Sequence, residues 1–507
     1  MKKIIFSLLL AAGLLSSCDM DKNPVGTING EEPFSGMNDA SRYRNYIYTS
    51  IRGITTGTYF TNPEIQMDMF QATSLTGNRG IVFASGDILP TTGEIYSPFG
   101  SLILQVGSIN YFLAKMNPLL ESTDDPDVIE EYKRYIAEAK FARAYFNILL
   151  FDRYCPEYTA ENADAPALGI PVFETYNPTA DRTTYVGRST MNESLAFINK
   201  DLDESLAALL AYEAIGSNSR QVVAMSPYVN SNVVKALQAR WALLTKDYQK
   251  AIDKATEVIN TGKYGLVGYA AYANMWQNDE GTEIIFRPIM SAPNELSNSI
   301  GERWISIYDD QADYVPTQTC LEMYSRRSDA RYNAFFDTRD LNFEGDIVAT
   351  MCFNKFPGNS ELQTSSQNNI MNMPKPFRAS ELYLIVAECQ YLLGNEGAAN
   401  TALADIRKAR IRNYSHTTLA STELRDAIRQ ERTKELIGEG FRMSDLRRWH
   451  LSMNRSNPQP DVAPYLWPST VNMTYNYEDE GYKYTWPIPQ QELQVNPQMA
   501  GQQNPKY

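Results

Sequence analysis

Residues 379–411 read ASELYLIVAECQYLLGNEGAANTALADIRKARI. Apolar residues recur every three or four positions on both sides of Gly394-Asn395, which predicts two helices separated by a break. Residues 232–264, NVVKALQARWALLTKDYQKAIDKATEVINTGKY, repeat this pattern around Lys246-Asp247. Both units approach the tetratricopeptide period of about 34 residues. Because a lone helical hairpin cannot bury its apolar face, we expect a mainly α-helical, tetratricopeptide-like scaffold of stacked hairpins.

Helical periodicity extends beyond these two units. Thr190 and Glu193 form a capping-box pattern at the head of another helix. Further helices are expected from Asn38, near Phe99, over residues 129–154 and from Thr422 onward. Two long segments, residues 55–95 and 265–377, show no sustained period and are predicted to be irregular loop insertions. Segments of that length are usually functional or disordered, and the second is rich in aromatic residues.

The amino terminus carries a targeting pattern. Lys2 and Lys3 precede an apolar run that is too short to span a bilayer, and Ser16-Ser17-Cys18 follows it. This pattern predicts a lipoprotein signal peptide over residues 1–17, an acylated Cys18 and a polar tether over residues 18–37. Several acyl chains would anchor the protein to a membrane without spanning it. The alternative is a secreted protein in which the cysteine follows the signal by chance.

Composition excludes several classes of function. Without Lys2 and Lys3 the chain has 44 basic and 60 acidic side chains, a net charge of −16, which disfavours nucleic-acid partners. With only two histidines and no metal, phosphate-loop or nucleophile-elbow motif, no metal or cofactor is expected. The four cysteines that follow Cys18 are interpreted as free buried thiols, although a Cys320–Cys352 bridge is also conceivable. These four residues are Cys155, Cys320, Cys352 and Cys389.

Two carboxylates fall on the apolar face of the last long helix. At 100° per residue, Glu431 and Glu435 lie within 20° of Leu424. A glycosidase needs two nearby carboxylates, so an enzyme is one interpretation. The other is a structural role in buried ion pairs, which we favour because arginines crowd the same segment. These arginines are Arg429, Arg432, Arg442, Arg447 and Arg448. Arg143, on the inner face of the 129–154 helix, has the same two interpretations.

Several ordered motifs resemble the SusD/RagB family of nutrient-binding lipoproteins of Gram-negative bacteria. The chain has EAKFARAYF at residues 138–146, RASELYLIVAE at 378–388 and IRQERTKEL at 428–436. EGFRMSDLRRW follows at residues 439–449, and the closing elements are WPIP at 486–489, NP at 496–497 and QNP at 503–505. With the lipobox, these motifs match the family pattern nearly from end to end. The resemblance implies one SusD-like domain over residues 38–507.

The resemblance also implies a function. Family members cap a SusC-like TonB-dependent outer-membrane transporter and deliver glycans to it, or peptides in RagB-like members, without catalysis. We therefore expect an outer-membrane, surface-facing lipoprotein that captures an oligosaccharide. The family's ligand contacts form no motif, so the site is predicted from the meeting of the two insertions. Aromatic rings would stack on sugars there and polar groups would orient them. The candidates are Trp276, Trp304, Tyr308, Tyr96, Arg79 and Asn78.

Overall fold

The computed structural model describes residues 34–216, 222–290, 300–305, 310–363 and 370–507. Cys18, the signal peptide, most of the tether and Tyr308 lie outside these ranges.

Within the described residues the chain is mainly helical, as the sequence predicts. The α-helices are α1 (Met37–Thr55), α2 (Thr58–Gln66), α3 (Ile81–Ala84), α4 (Gly93–Glu121), α5 (Pro126–Tyr154), α6 (Met191–Glu213), α7 (Ser231–Leu244), α8 (Tyr248–Ile259), α9 (Tyr272–Asn278), α10 (Gln318–Glu322), α11 (Ala330–Phe335), α12 (Ala379–Leu392), α13 (Glu396–Arg410), α14 (Ser421–Leu436), α15 (Arg442–Trp449), α16 (Tyr477–Glu480) and α17 (Gln490–Val495).

The two repeat units form the expected helical hairpins. Helices α7 and α8 pack together, as do α12 and α13, and α12 also contacts α8 and α14. Lys246 and Gly394 reverse the chain between the paired helices with φ of 62° and 81°. The Asp247 side chain then caps α8 by accepting from the Lys250 amide. The stacking of α8 against α12 buries the apolar faces that a single hairpin would leave exposed.

The amino-terminal half adds a second set of packed helices. Helices α4, α5 and α6 pack in sequence order, and α1 packs against α5. Asp125 accepts from two amides at the start of α5, with Pro126 at the first helical position. The capping box predicted for Thr190 and Glu193 is present at the start of α6. Local capping therefore fixes where α5 and α6 begin.

The strands form four small antiparallel pairs. Three pairs have strands of two or three residues, whereas β4 and β5 form an eight-residue hairpin. The hairpin turns through Glu344 and Gly345, both with positive φ. The pairs are β1 (Phe70–Ala72) with β3 (Tyr314–Pro316), β2 (Ile284–Phe286) with β6 (Phe377–Arg378), β4 (Phe336–Phe343) with β5 (Asp346–Phe353), and β7 (Met453–Arg455) with β8 (Met473–Tyr475).

The predicted insertions contain more regular structure than the sequence indicated. Residues 55–95 include α2 and α3, and residues 265–377 include α9 to α11 and the β4–β5 hairpin. Seven of the nine residues of α2 are buried, so this helix has no exposed polar face and hence no amphipathic period. The two insertions therefore contain short helices and strands as well as irregular chain.

One large apolar core extends through the helical scaffold, and a smaller core lies beneath the β4–β5 hairpin. Cys320 belongs to the large core and Cys352 to the small one. Cys155 and Cys389 are buried as well, and all four thiols are free. The alternative of a Cys320–Cys352 bridge is therefore wrong. No helix within the described residues is both long and apolar enough to cross a membrane.

Candidate ligand-binding face

The two predicted insertions meet, as expected. Strand β1 of the first pairs antiparallel with β3 of the second, and the Thr73 amide donates to the Asp313 carbonyl at 2.9 Å. Beyond β1, Arg79 Nη2 lies 2.6 Å from Asp313 Oδ1, and the Tyr314 hydroxyl donates to the Arg79 carbonyl at 2.6 Å. The loop that carries Arg79 is thus fixed to the second insertion by an ion pair and a hydrogen bond.

Two of the predicted polar contacts lie on the surface of this junction. The Arg79 side chain is 56% exposed although it is paired with Asp313. Asn78 is exposed and adopts φ of 70°, a conformation that asparagine tolerates better than most residues. Both side chains are therefore accessible to a ligand that approaches from solvent.

The two predicted tryptophan platforms are buried. Trp276 is 1% exposed and has the Lys355, Lys375 and Arg378 cations over its ring. Trp304 is also 1% exposed and packs on the Phe70 ring with centroids 4.2 Å apart. Neither ring presents a face to solvent, so their prediction as stacking platforms is wrong. Both instead hold the second insertion against the core, because large aromatic side chains gain most from burial.

Sequence reasoning missed a better-placed tryptophan. Five of the six tryptophans are buried, whereas Trp467 is only partly buried. Its amide donates to the Ala72 carbonyl at 2.9 Å, and the preceding Leu466 pairs with Thr73. Trp467 therefore lies beside the end of β1, from which the chain continues into the loop that carries Asn78 and Arg79, although it is almost 400 residues away in sequence. Its position in the Pro-rich carboxyl-terminal chain gives no sequence signal of this proximity.

A second aromatic ring lies near Trp467. Tyr465 stacks on Phe343 of β4 with centroids 4.6 Å apart, and its hydroxyl donates to Asp346 at 3.0 Å. Tyr96, which the sequence also suggested as a ligand contact, lies in the first turn of α4 and is 38% exposed. We define the junction face as Asn78, Arg79, Tyr465 and Trp467.

The Glu431 and Glu435 carboxylates belong to a buried ionic cluster. They are 2% and 0% exposed. Arg331 Nη2 lies 2.6 Å from Glu431 and its Nη1 lies 3.2 Å from Glu435. Arg407 also pairs with Glu431, while Arg378 and Arg410 pair with Glu435. The structural interpretation is therefore supported, but the partners come from α11, β6 and α13.

The arginines that the sequence suggested as partners pair elsewhere. Their side chains leave α14 and α15 in other directions and contact Trp449, Asp445, Asp68, Asp152 and Glu388. That part of the prediction is wrong. Helical periodicity showed which side of α14 carries Glu431 and Glu435, but not which element packs against it.

Electrostatics keep the two glutamates ionised. Burial alone would raise the pKa of Glu435, but the Arg410 and Arg378 guanidiniums outweigh it and hold that pKa well below its usual range. Burial would also raise the pKa of Glu431, but Arg331, Lys434 and Arg407 together outweigh burial and lower that pKa. A carboxylate that stays ionised and saturated by arginines has no proton to donate at neutral pH and cannot serve as a general acid.

These features define a class of protein: a helical-hairpin scaffold that presents aromatic and hydrogen-bonding residues on surface loops. The SusD family model matches residues 328–507, and a second model, described as "Starch-binding associating with outer membrane", matches residues 104–225. The chain belongs to the SusD family.

Individual relatives agree with this assignment. A SusD-like protein, P25, of Formosa agariphila is 25% identical over 437 residues, which cover 75% of each chain. A SusD superfamily structure from Bacteroides thetaiotaomicron superposes with a TM-score of 0.76 at 23% identity, covering 93% of this chain and all of that one. A Bacteroides vulgatus protein described as sugar-binding gives a TM-score of 0.72 at 22% identity, covering 94% and 100%. These two structures share the fold of this chain.

Proposed function

We propose that the protein is a cell-surface lipoprotein that captures an oligosaccharide and delivers it to a SusC-like TonB-dependent outer-membrane transporter. Membership of the SusD family supports this proposal, because the matched models and neighbours are described by starch, sugar and outer-membrane association. The arrangement comprises a signal peptide over residues 1–17, a tether over 18–37 and one SusD-like domain over 38–507.

The junction face carries the proposal, because it combines the groups that a sugar needs. A sugar ring has apolar C–H faces surrounded by hydroxyl groups. An aromatic ring such as Trp467 can stack on the C–H face, while Arg79 and Asn78 can bond to the hydroxyls. Such an open surface recovers little desolvation energy. We therefore expect affinities on the order of micromolar to millimolar.

The ligand is identified by a glycan array probed with the purified mature protein and then measured by calorimetry. Trp467→Ala should remove a stacking contact of ~0.5–1.5 kcal/mol plus the lost burial, which is enough to erase weak binding. Tyr46→Ala, which removes a 40% exposed ring on α1, is the matched control and should bind normally. A folded Trp467→Ala variant that binds as tightly as wild type would place the site elsewhere. Binding of a peptide library but of no glycan would favour the RagB-like alternative.

Lipid anchoring is tested separately at Cys18. Metabolic labelling with a fatty acid should mark the wild-type protein and not Cys18→Ala. Protease added to intact cells should degrade the anchored protein if it faces outward. Complete protection would contradict the surface-facing arrangement.

The transporter partner is tested in detergent-solubilised outer membranes. A tagged wild-type protein should co-purify with a TonB-dependent transporter, identified by mass spectrometry. An unrelated tagged outer-membrane lipoprotein serves as the control for non-specific capture. Recovery of the tagged protein alone, under conditions that keep known transporter complexes intact, would contradict the delivery role.

A further inference from the structure

A cleft of about 660 Å³ lies between α4, the segment 172–186 and the carboxyl-terminal helix α17. It is built from different residues from those of the junction face. Its volume falls within the range of roughly 300–1,000 Å³ that is typical of small-molecule sites. Ile103 and Gly107 of α4 form one side, and Val495 of α17 faces the cleft with 49% exposure.

Buried polar side chains hold one wall of this cleft in place. Arg143 Nη1 donates to the Glu174 carbonyl at 2.9 Å, and Asn110 Nδ2 donates to the Phe173 carbonyl at 2.9 Å. Arg143 is itself fixed by two 2.7 Å contacts with Asp201. Arg143 of the EAKFARAYF motif is therefore structural, and the structure that it supports is a cleft wall.

A second wall of the cleft is held by amide side chains near the carboxyl terminus. Asn496 Nδ2 donates to the Val186 carbonyl at 2.8 Å, and Gln498 Nε2 donates to the Thr183 carbonyl at 3.1 Å. Both walls are thus positioned by contacts that do not involve a ligand. A pre-organised cleft of this kind avoids much of the ordering cost of binding.

The cleft combines aromatic rings with negative charge. Tyr176 is 45% exposed and is held edge-on by Tyr111, with centroids 5.1 Å apart. Tyr185 also lines the cleft. Two acidic residues, Glu174 and Glu492, line it as well, whereas no lysine or arginine is among the lining residues. Among the described residues, Glu492 has no ion-pair partner. Burial raises the pKa of Glu492, and no nearby positive charge offsets this effect.

We propose that this cleft is a second saccharide site that takes a short sugar bearing a free amine. Tyr176 and Tyr185 offer faces for the sugar ring, and an ammonium group placed at Glu492 forms the ion pair that the protein leaves open. Anionic sugars such as uronates are repelled. Tyr96 lies on the same side of α4 as Ile103 and Gly107, so a longer chain can extend toward it. The saccharide class rests on the proposed function, whereas the charge preference rests on the cleft.

Calorimetry on the full mature protein at neutral pH tests this site with three disaccharides. The probes are chitobiose, which carries free amines, cellobiose, which has hydroxyls in their place, and digalacturonate. Chitobiose should bind about tenfold more tightly than cellobiose, because a charge-assisted hydrogen bond replaces a neutral one. Digalacturonate should not bind. Glu492→Gln should remove the preference for chitobiose.

A steric pair of variants locates the binding. Val495→Trp should fill the cleft and abolish chitobiose binding, while Leu104→Trp, at a 64% exposed position on α4 that does not line the cleft, should not. Thermal unfolding checks that both variants fold. If Val495→Trp fails to fold, Glu492→Gln alone decides the question.

Three outcomes would overturn the proposal: equal affinity for chitobiose and cellobiose, a preference that survives Glu492→Gln, or binding of trilysine but of no saccharide. If wild type binds an array glycan through Trp467 but neither disaccharide, only the cleft proposal fails. If no saccharide binds, the proposed function fails as well.

Discussion

The ionic cluster around Glu435 and the junction face around Arg79 use the same types of residue for different roles. In the cluster, Arg331 and Glu435 are both 0% exposed, and each of them has several ion-pair partners. At the junction face, Arg79 is 56% exposed and has one carboxylate partner at 2.6 Å, Asp313, whose side chain is 4% exposed. Burial, and not residue type, therefore separates a charge that holds the fold from one that can meet a ligand.

The largest effect should come from breaking the cluster. Glu435→Gln leaves the guanidiniums of Arg331, Arg378 and Arg410 with less compensating charge in a buried site, which should cost ~3–5 kcal/mol of unfolding free energy. Urea denaturation measures this loss, and Glu423→Gln, at an exposed position of the same helix, is the control. Glu431→Gln should behave similarly. If either variant unfolds like wild type while loss of polysaccharide length on incubation ceases, the glycosidase interpretation gains support.

Removal of a buried tryptophan should have a similar or slightly smaller effect. Trp304→Ala removes a 1% exposed ring that packs on Phe70 and should cost about 3 kcal/mol or more. Thermal unfolding and calorimetry on the same samples separate stability from binding. Trp467→Ala should show the reverse pattern, with weaker binding and little loss of stability. Normal stability of Trp304→Ala would contradict its assignment to the core.

Acid should weaken the cluster through its carboxylates. Arginine partners lower the pKa of Glu435 and Glu431 despite burial, so the folded state binds fewer protons than the unfolded state. Their contribution is fully present above the unfolded glutamate pKa of about 4.3 and is lost as pH falls toward the lower folded values. Each additional proton that the unfolded state binds steepens the dependence of the unfolding free energy on pH by up to about 1.4 kcal/mol per pH unit. Urea denaturation between neutral and acidic pH should give Glu435→Gln a shallower slope than wild type; equal slopes would contradict the assignment.

The smallest change in stability should come from the junction face. Arg79→Gln keeps a hydrogen-bond donor near Asp313 and removes the charge of a mostly exposed side chain, so stability should change by no more than about 1 kcal/mol. Binding of the array glycan should nevertheless weaken. Arg412→Gln, at an exposed arginine outside both proposed sites, is the control. A large loss of stability would mean that Arg79 belongs with the cluster and not with the ligand face.

Sequence periodicity was sufficient to predict the helical scaffold, because amphipathic hairpins such as residues 379–411 must bury one face. It failed for α2, which is buried on nearly all sides and has no exposed polar face. The β4–β5 hairpin was also missed, because its turn uses Glu344-Gly345 in place of the stronger Asn-Gly or Asp-Gly signal.

Prediction of the site was less successful, because proximity in space decides it. The sequence correctly indicated that the two insertions meet, and it placed Arg79 and Asn78 at that junction. The sequence does not distinguish a buried tryptophan from an accessible one. It therefore predicts Trp276 and Trp304, and not Trp467, as the stacking platforms for a sugar ring. The same limit applies to Glu435, whose arginine partners lie up to about a hundred residues earlier in the chain.

We also expect the ionic cluster to influence the order in which the chain completes its fold. Arg331, Arg378, Arg407 and Arg410 are synthesised before Glu431 and Glu435, so in a nascent chain these arginines lack part of their compensating charge. Burying them at that stage would cost several kcal/mol, which keeps this part of the core open. If the proposed signal peptide directs export, this delay would favour passage through a narrow translocation channel. A fragment of residues 1–430 should accordingly be degraded rapidly by protease, and persistence of a folded fragment would contradict this order.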